Sequence, residues 1–393
     1  MKNQDPSQEH LQSIISLYNA GKLQQALSEA TQMMERFPNS FILYNISGAS
    51  NAALKRFDAA IVSYKQALRI KPDYAEVHNN MGSALSDKGD FEGAIESYKQ
   101  ALRIKPDYAG AYYNMGSVMK DKGDFEGAIK SYKQALRIKP DYAGAYNNMG
   151  NALSSKGDLE EAIESYKQAL RIKPDFAGAY NNMANAMKNK GDLAEAIESC
   201  KQALKIKPDY ADAYYNMANA MKDKGDLAEA IDSYKQALKI KPNYASAYYN
   251  MGNALNEKGN PEVAIDSFKQ AIKIKPDYAL AYNNMGNALS SKGDLEGAID
   301  CYNQAIRIKP DYAEGHCNLG AVLQLLNQSE PALASYEKAI SLKKDFNEAI
   351  SGLGLLLLNK GKHSEGLDKL IQGEGSILFS IEKGFSVKSG GKE

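Results

Sequence analysis

The sequence predicts an all-α solenoid of about eleven 34-residue helix-turn-helix repeats, on the strength of three observations. Pro38, Pro72, Pro106, Pro140, Pro174, Pro208, Pro242, Pro276 and Pro310 each stand 34 residues after the last, and a fixed period of that length marks stacked supersecondary units. The stretch Ala109–Tyr142, AGAYYNMGSVMKDKGDFEGAIKSYKQALRIKPDY, recurs almost letter for letter on both sides of itself. Within it, apolar residues return at helical spacing twice. In this frame the repeats begin at Ser7, Phe41, Ala75, Ala109, Ala143, Ala177, Ala211, Ala245, Ala279, Ala313 and Asn347, and positions are counted from those residues.

Taking one repeat in order, AGAYYNMGSVMK places Tyr112, Met115, Gly116 and Met119 at positions 4, 7, 8 and 11. At 100° per residue these form a single stripe, the mark of an amphipathic helix. Gly123 at position 15 breaks it, and Asp124 follows as an N-cap for a second helix. In the fifth repeat Asp158 and Glu161 have the spacing of a capping box. In the eighth, Asn260 takes the cap position with Pro261 just inside the helix, where its missing N–H costs little. Ala128, Tyr132 and Ala135, at positions 20, 24 and 27, are the predicted buried stripe of the second helix, which Pro140 ends. The small residues at positions 8, 20 and 27 let the two helices approach closely. No repeat could bury its stripe alone, so neighbours bury it together.

The series Tyr112-x2-Met115-Gly116-x2-Met119, Gly123, Ala128-x3-Tyr132-x2-Ala135 and Pro140 resembles the tetratricopeptide repeat. The resemblance covers residues 7 to about 373 and implies a right-handed superhelix whose first helices face its concave wall. Departures are few. Position 4 is His in His10, His78 and His316, Cys200 replaces the aromatic at position 24, and Lys344 stands where Pro is expected. Gly366 and Gly373 replace Ala in the eleventh repeat, which weakens the expectation of a second helix there. Residues 1–6 are expected to be disordered and 7–373 to form the array. Residues 374–393 leave the pattern, and Ser376–Ile381 is expected to cover the end of the last repeat as a short strand or helix.

Composition narrows the function. For 393 residues two or three domains would be usual, but repeats sharing one core form a single array. Lys+Arg and Asp+Glu both number 48, so no net field draws the chain to nucleic acid or anionic lipid. MKNQDPSQEH holds no apolar leader segment, and Leu355–Leu358 is too short to span a bilayer; no membrane partner is expected. Cys200, Cys301 and Cys317 are odd in number without CxxC spacing, which fits a reducing, cytoplasmic compartment.

The helical wheel points positions 2, 6, 9 and 13 away from the predicted buried stripe. Position 6 is Asn80, Asn114, Asn148, Asn182, Asn216, Asn250, Asn284 and Asn318 in eight consecutive repeats, and position 9 is Asn151, Asn185, Asn219, Asn253 and Asn287. Asparagine is a poor helix former, but one short side chain carries both a donor and an acceptor, which suits the N–H and C=O groups of a bound backbone. Helices stacked roughly 8–10 Å apart would each face about three residues of an extended peptide. Tyr113, Tyr215 and Tyr249 at position 5 could add apolar contacts. The column resembles the asparagine ladder in the repeat arm of the O-linked N-acetylglucosamine transferases; no catalytic domain of that family is expected after Asn347, and the resemblance implies a polypeptide-binding arm. Copying by duplication is the alternative source of the asparagines, but position 2 drifts through Glu76, Gly110, Asp212, Ser246 and Leu280 while position 6 holds.

No catalytic constellation emerges. His78 and His316 sit at a core position, His316-Cys317 lacks zinc spacing, and the lone cysteines have no base partner. Lys122-Gly123-Asp124 is a turn and cap, not a phosphate loop. No enzyme, metal, cofactor or small-molecule substrate is therefore expected. Basic residues at positions 25 and 29, such as Lys133, Arg137, Lys235 and Lys239, are interleaved with Glu96, Glu164 and Asp232, which reads as a solvated face; nucleic-acid binding along that stripe is the weaker alternative. Another is a targeting arm serving a separately encoded glycosyltransferase or other enzyme. The expected function is a non-catalytic scaffold that binds extended or disordered segments of other proteins.

Overall fold

The computed structural model describes residues 5–380 and 384–389. Helices come in consecutive antiparallel pairs, one pair per repeat. Those of the fourth repeat are Ala109–Asp121 and Phe125–Ile138, and the last pair is Asn347–Asn359 and His363–Glu374. The chain divides into two compact units, residues 1–206 and 207–393, so repeats one to six form the first and repeats seven to eleven the second. Within each unit a second helix packs against the first helix of its own repeat and that of the next. This is the all-α solenoid arrangement.

The second-helix stripe is as the sequence predicts: Ala128, Tyr132 and Ala135 are fully buried. The first-helix stripe is rotated. Ala111, Met115, Gly116 and Val118 are buried, whereas Tyr112 and Met119 are half-buried. The cause is a second packing partner. Ala111 clusters with Ala75 and Ala101 of the preceding repeat, so within a unit a first helix that follows another repeat is wedged between two second helices.

Close approach is set at position 8. A Cβ on Gly150 would lie 2.6 Å from Cε1 of Tyr166, and one on Gly286 2.7 Å from that of Tyr302. The sixth repeat reverses the sizes, pairing Ala184 with Cys200, both buried. At the turn, Gly123 has φ +83° and Gly157 φ +97°; where the glycine is missing, Lys55 and Asn327 take the same left-handed conformation at φ 60° and 58°.

Capping departs from expectation. Asp90, Asp124 and Asp294 accept hydrogen bonds from the backbone N–H of Gly93, Gly127 and Gly297 at 2.9, 2.9 and 3.0 Å. Asp158, expected to form a capping box with Glu161, makes no such bond and instead pairs with Lys156 at 3.1 Å. The carboxylate closes on the helix end only where glycine stands three residues on: a Cβ on Gly93 would lie 2.6 Å from Asp90 Oδ2. Asn260 holds the cap position without a side-chain bond, ahead of Pro261.

The eleventh repeat does form its second helix. Gly366 is what allows it, since a Cβ there would lie 2.9 Å from the Gly354 carbonyl oxygen; the two backbones touch where other repeats interpose side chains. Strand β1 (Gly375–Ser380) follows that helix and pairs antiparallel with β2 (Gly384–Ser389), Ile377 opposite Val387. At the other end residues 1–4 lie outside the described residues, Pro6 is buried, and Asp5 accepts from the Ser40 hydroxyl. Among the described residues no helix is long and apolar enough to cross a membrane.

Candidate functional site

The column of asparagines at position 6 lies along the first helices, and all eight side chains are half-buried. Their amides are engaged within the protein. Asn80 donates from Nδ2 to Asn45 Oδ1 at 3.4 Å, Asn114 to Asn79 at 3.1 Å and Asn182 to Asn147 at 3.1 Å. Asn148 donates to the Tyr113 hydroxyl at 3.0 Å. In the second unit Asn250 and Asn284 donate to Tyr215 and Tyr249 at 3.0 and 3.1 Å, and Asn318 to Asn283 at 3.0 Å; Asn216 is engaged as well. Each of the seven bonds with a stated distance ties position 6 of one repeat to position 5 of the repeat before.

Position 5 is therefore the element that sequence reasoning undervalued. Asn79, Asn147, Asn181 and Asn283 are buried, and Asn147 and Asn283 donate in turn to the side-chain Oδ1 of Asn148 and Asn284 at 3.2 and 3.1 Å. Tyr113, Tyr215 and Tyr249, expected as apolar contacts for a ligand, pack inward. Their rings lie 4.9, 4.9 and 5.0 Å from Tyr142, Tyr244 and Tyr278 at the end of the same repeat. Those end-of-repeat rings in turn carry lysines, Lys139 at 5.1 Å and Lys241 at 4.1 Å. A signal was present in the sequence: from Asn45 to Asn283 every residue at position 5 bears a side-chain oxygen.

Position 9 extends the network. The buried Tyr166, Tyr234 and Tyr302 donate to Asn151, Asn219 and Asn287 at 2.8, 2.6 and 2.8 Å; where position 9 is serine, Ser83 and Ser117 meet Tyr98 and Tyr132 at 3.1 Å. Burial pushes the Tyr98 and Tyr132 phenols up to about 12, the serine contacts offsetting part of the rise. The two units differ here. Asn250, Asn284 and Asn318 also reach Asn219, Asn253 and Asn287, at 3.0, 2.8 and 3.2 Å, so both amide N–H groups are occupied. Asn114 and Asn182 each make one such bond, which leaves an N–H in hand.

Shallow recesses open between successive first helices on this face. One is lined by Asn151, Ser154, Ser155, Tyr166, Asn182 and Asn185, another by Asn287, Ser290, Ser291, Tyr302 and Asn318. Both are rich in neutral donors and acceptors; the first also includes one cation, Lys120, and the second no charged side chain. Such a surface can exchange hydrogen bonds with an amide backbone, and it holds no obvious general acid or base. His78 and His316 place Nε2 3.0 and 3.2 Å from the Pro72 and Pro310 carbonyl oxygens, as helix-end packing. Cys200, Cys301 and Cys317 are free and buried; burial pushes the Cys200 thiol up to about 12. On the opposite face Lys235 pairs with Asp232 at 3.4 Å and Arg171 with Glu164 at 3.9 Å, all exposed.

A family model described as TPR repeat matches residues 51–89, 82–123, 116–157, 150–191, 188–225, 218–259, 252–293 and 286–327, and one described as tetratricopeptide repeat matches 313–346. Among curated proteins none matches the chain. Solved structures similar to it include MamA, 32% identical over 41% of this chain and 94% of that one with a TM-score of 0.39. YrrB, described as a TPR protein with an unusual peptide-binding site, is 24% identical over 48% and 96%, with a TM-score of 0.40. Yeast Tom70 is 16% identical over 93% and 91%, with a TM-score of 0.47.

Proposed function

The chain belongs to the tetratricopeptide-repeat family, and from that premise we propose that it is a non-catalytic scaffold that holds extended segments of other polypeptides along its first helices. The observation that carries this reading is the state of the position-6 amides. Seven of the eight are held in one orientation by a bond to the preceding repeat, so little side-chain entropy remains to be lost on binding. All eight are half-exposed, and Asn80, Asn114, Asn182 and Asn318 line recesses on that face. A peptide backbone needs a donor and an acceptor at every residue, and a fixed row of carboxamides offers both without selecting for sequence. The tie to position 5 gives a structural reason for asparagine at position 6; the second N–H of Asn114 and Asn182 and the amide oxygens are what a ligand would use.

The test is to replace Asn114 and Asn182 together by Ala. Fluorescence anisotropy would read the affinity for labelled, unstructured peptides of about twenty residues, with circular dichroism to check helicity. Weakened binding at unchanged helicity is expected. Unchanged affinity with a lowered melting temperature would assign the amides to the inter-repeat tie alone and defeat the reading.

A further inference from the structure

Positions 12 and 13 close each first helix on the same face. In the fourth and seventh repeats a lysine stands before the aspartate and neutralises it: Lys120 Nζ is 2.9 Å from Asp121 Oδ1, and Lys222 Nζ 3.0 Å from Asp223 Oδ1. The third repeat reads Ser86-Asp87 instead. Asp87 is exposed, and among the described residues no ion pair engages it. Its field is nevertheless felt inside the protein, where it adds to the rise that burial imposes on the Tyr98 phenol.

Asp87 stands where two recesses of the ladder face meet. On one side the wall is apolar, built from Ala49, Ala52, Ala53 and Ala84 between Tyr18 and Tyr64. On the other it is hydroxylic, with Ser83, Ser117 and Tyr98 around the Asn114 rung, and it includes Asp121, the carboxylate that Lys120 pairs. An alanine-floored trough ending at an uncompensated carboxylate suits a side chain with a methylene stem and a cationic head. A purely apolar side chain would cover the carboxylate without pairing it, and an acidic one would be repelled.

Resting on the peptide-binding reading above, we propose that Asp87 makes the first unit prefer a segment carrying a lysine or arginine. The stem lies on the alanines, the cation meets Asp87, and the backbone is held by Asn80 and Asn114. Asp87 is thus a specificity-determining residue for the ladder, and within the first unit its effect is local to the third repeat because Asp121, the other position-13 carboxylate there, is already paired.

The experiment uses the full chain and four fluorescein-labelled peptides of about twenty residues, built from Gly, Ser, Thr and Ala with one central Lys, Arg, norleucine or Glu. The Lys and Arg peptides should bind about threefold or more tightly than norleucine, the gain of one partly exposed ion pair, and Glu more weakly still. The advantage should vanish in Asp87→Asn, in Ser86→Lys, which installs the pairing of the fourth repeat, and in high salt. Equal binding of the four peptides, or a preference that survives both variants, overturns the inference while leaving the ladder reading intact. Binding of none of them by the unaltered protein overturns both.

Discussion

Asn148 donates from Nδ2 to the phenolic oxygen of Tyr113, a residue 35 positions earlier, across 3.0 Å. Position 6 of one repeat and position 5 of the repeat before are in this way a matched donor and acceptor, and the matching is visible at the ends of the column. Leu11 at position 5 is followed by Ile46 at position 6, and Cys317 by Gly352. The asparagines begin and stop where their oxygen partners begin and stop. The amide column is thus a seam between successive first helices as well as a surface.

Tyr113→Phe removes that acceptor and keeps the ring, which packs 5.9 Å from Tyr132 and 4.9 Å from Tyr142. It should lower stability by about 0.5–1.5 kcal/mol, the net worth of one hydrogen bond. Asn148→Ala should cost more, because it also removes the acceptor of the buried Asn147 amide, and the double variant should cost less than the sum of the two, because both remove the Asn148–Tyr113 bond. Urea denaturation of the four proteins measures this. Additive losses would mean that the two side chains contribute separately.

Gly150→Ala tests the close approach of the two helices. The added methyl would sit 2.6 Å from Tyr166 Cε1, and relief by tilting the ring strains the Tyr166–Asn151 bond of 2.8 Å. The expected cost is about 1–3 kcal/mol, towards the lower end because the seventh repeat houses Ala218 beside a buried Tyr234. Following the Ala184–Cys200 pair, Gly150→Ala with Tyr166→Cys should be less destabilised than the sum of its parts. A strictly additive double variant would show that the sixth repeat keeps its Cys for another reason.

The fold could be read from the chain because each repeat writes its buried residues at helical spacing and its turn as glycine, and the copies vote together. What escaped was whatever depends on a partner outside the repeat. Ala111 is buried by the preceding repeat, so a wheel drawn for one helix pair placed Tyr112 in its stead. The Asp158–Glu161 box fails because the carboxylate closes only over glycine, a steric condition that propensity does not encode. For the candidate site, the orientation of position 6 was legible but its engagement was not. Tyr113, Tyr215 and Tyr249 read as ligand contacts because an aromatic stands beside the column; the 35-residue offset adds that their oxygens accept from the next repeat, while the rings stay half-buried.

Lys55 occupies the turn position that is glycine in most repeats, at φ 60°. A left-handed conformation costs a side-chain-bearing residue about 1–2 kcal/mol, and glycine gives back part of that gain through its looser unfolded state. Lys55→Gly should therefore stabilise by about 0.5–1 kcal/mol. Asn327→Gly, at φ 58°, should gain less, since asparagine tolerates this region. Thermal melts of the two variants would show the order, and equal or reversed gains would contradict it.

Alkaline pH should destabilise the protein, for a reason shared by thiols and phenols. Burial pushes Cys200 from 9.0 to about 12, Cys301 and Cys317 to about 11, and Tyr98 and Tyr132 from 10.0 to about 12. In each case the folded state holds its proton more tightly than the unfolded one. The stability this contributes is complete below the unfolded values and is lost as pH rises through the folded ones. Stability by urea denaturation should be level up to about pH 8 and fall progressively from about pH 9 towards 12. Over the level range the three cysteines should react with Ellman's reagent only at the rate of unfolding, since a protonated, buried thiol is not a nucleophile. A stability curve that stays flat through pH 11, or rapid labelling of the folded chain, would show that these side chains are open to water.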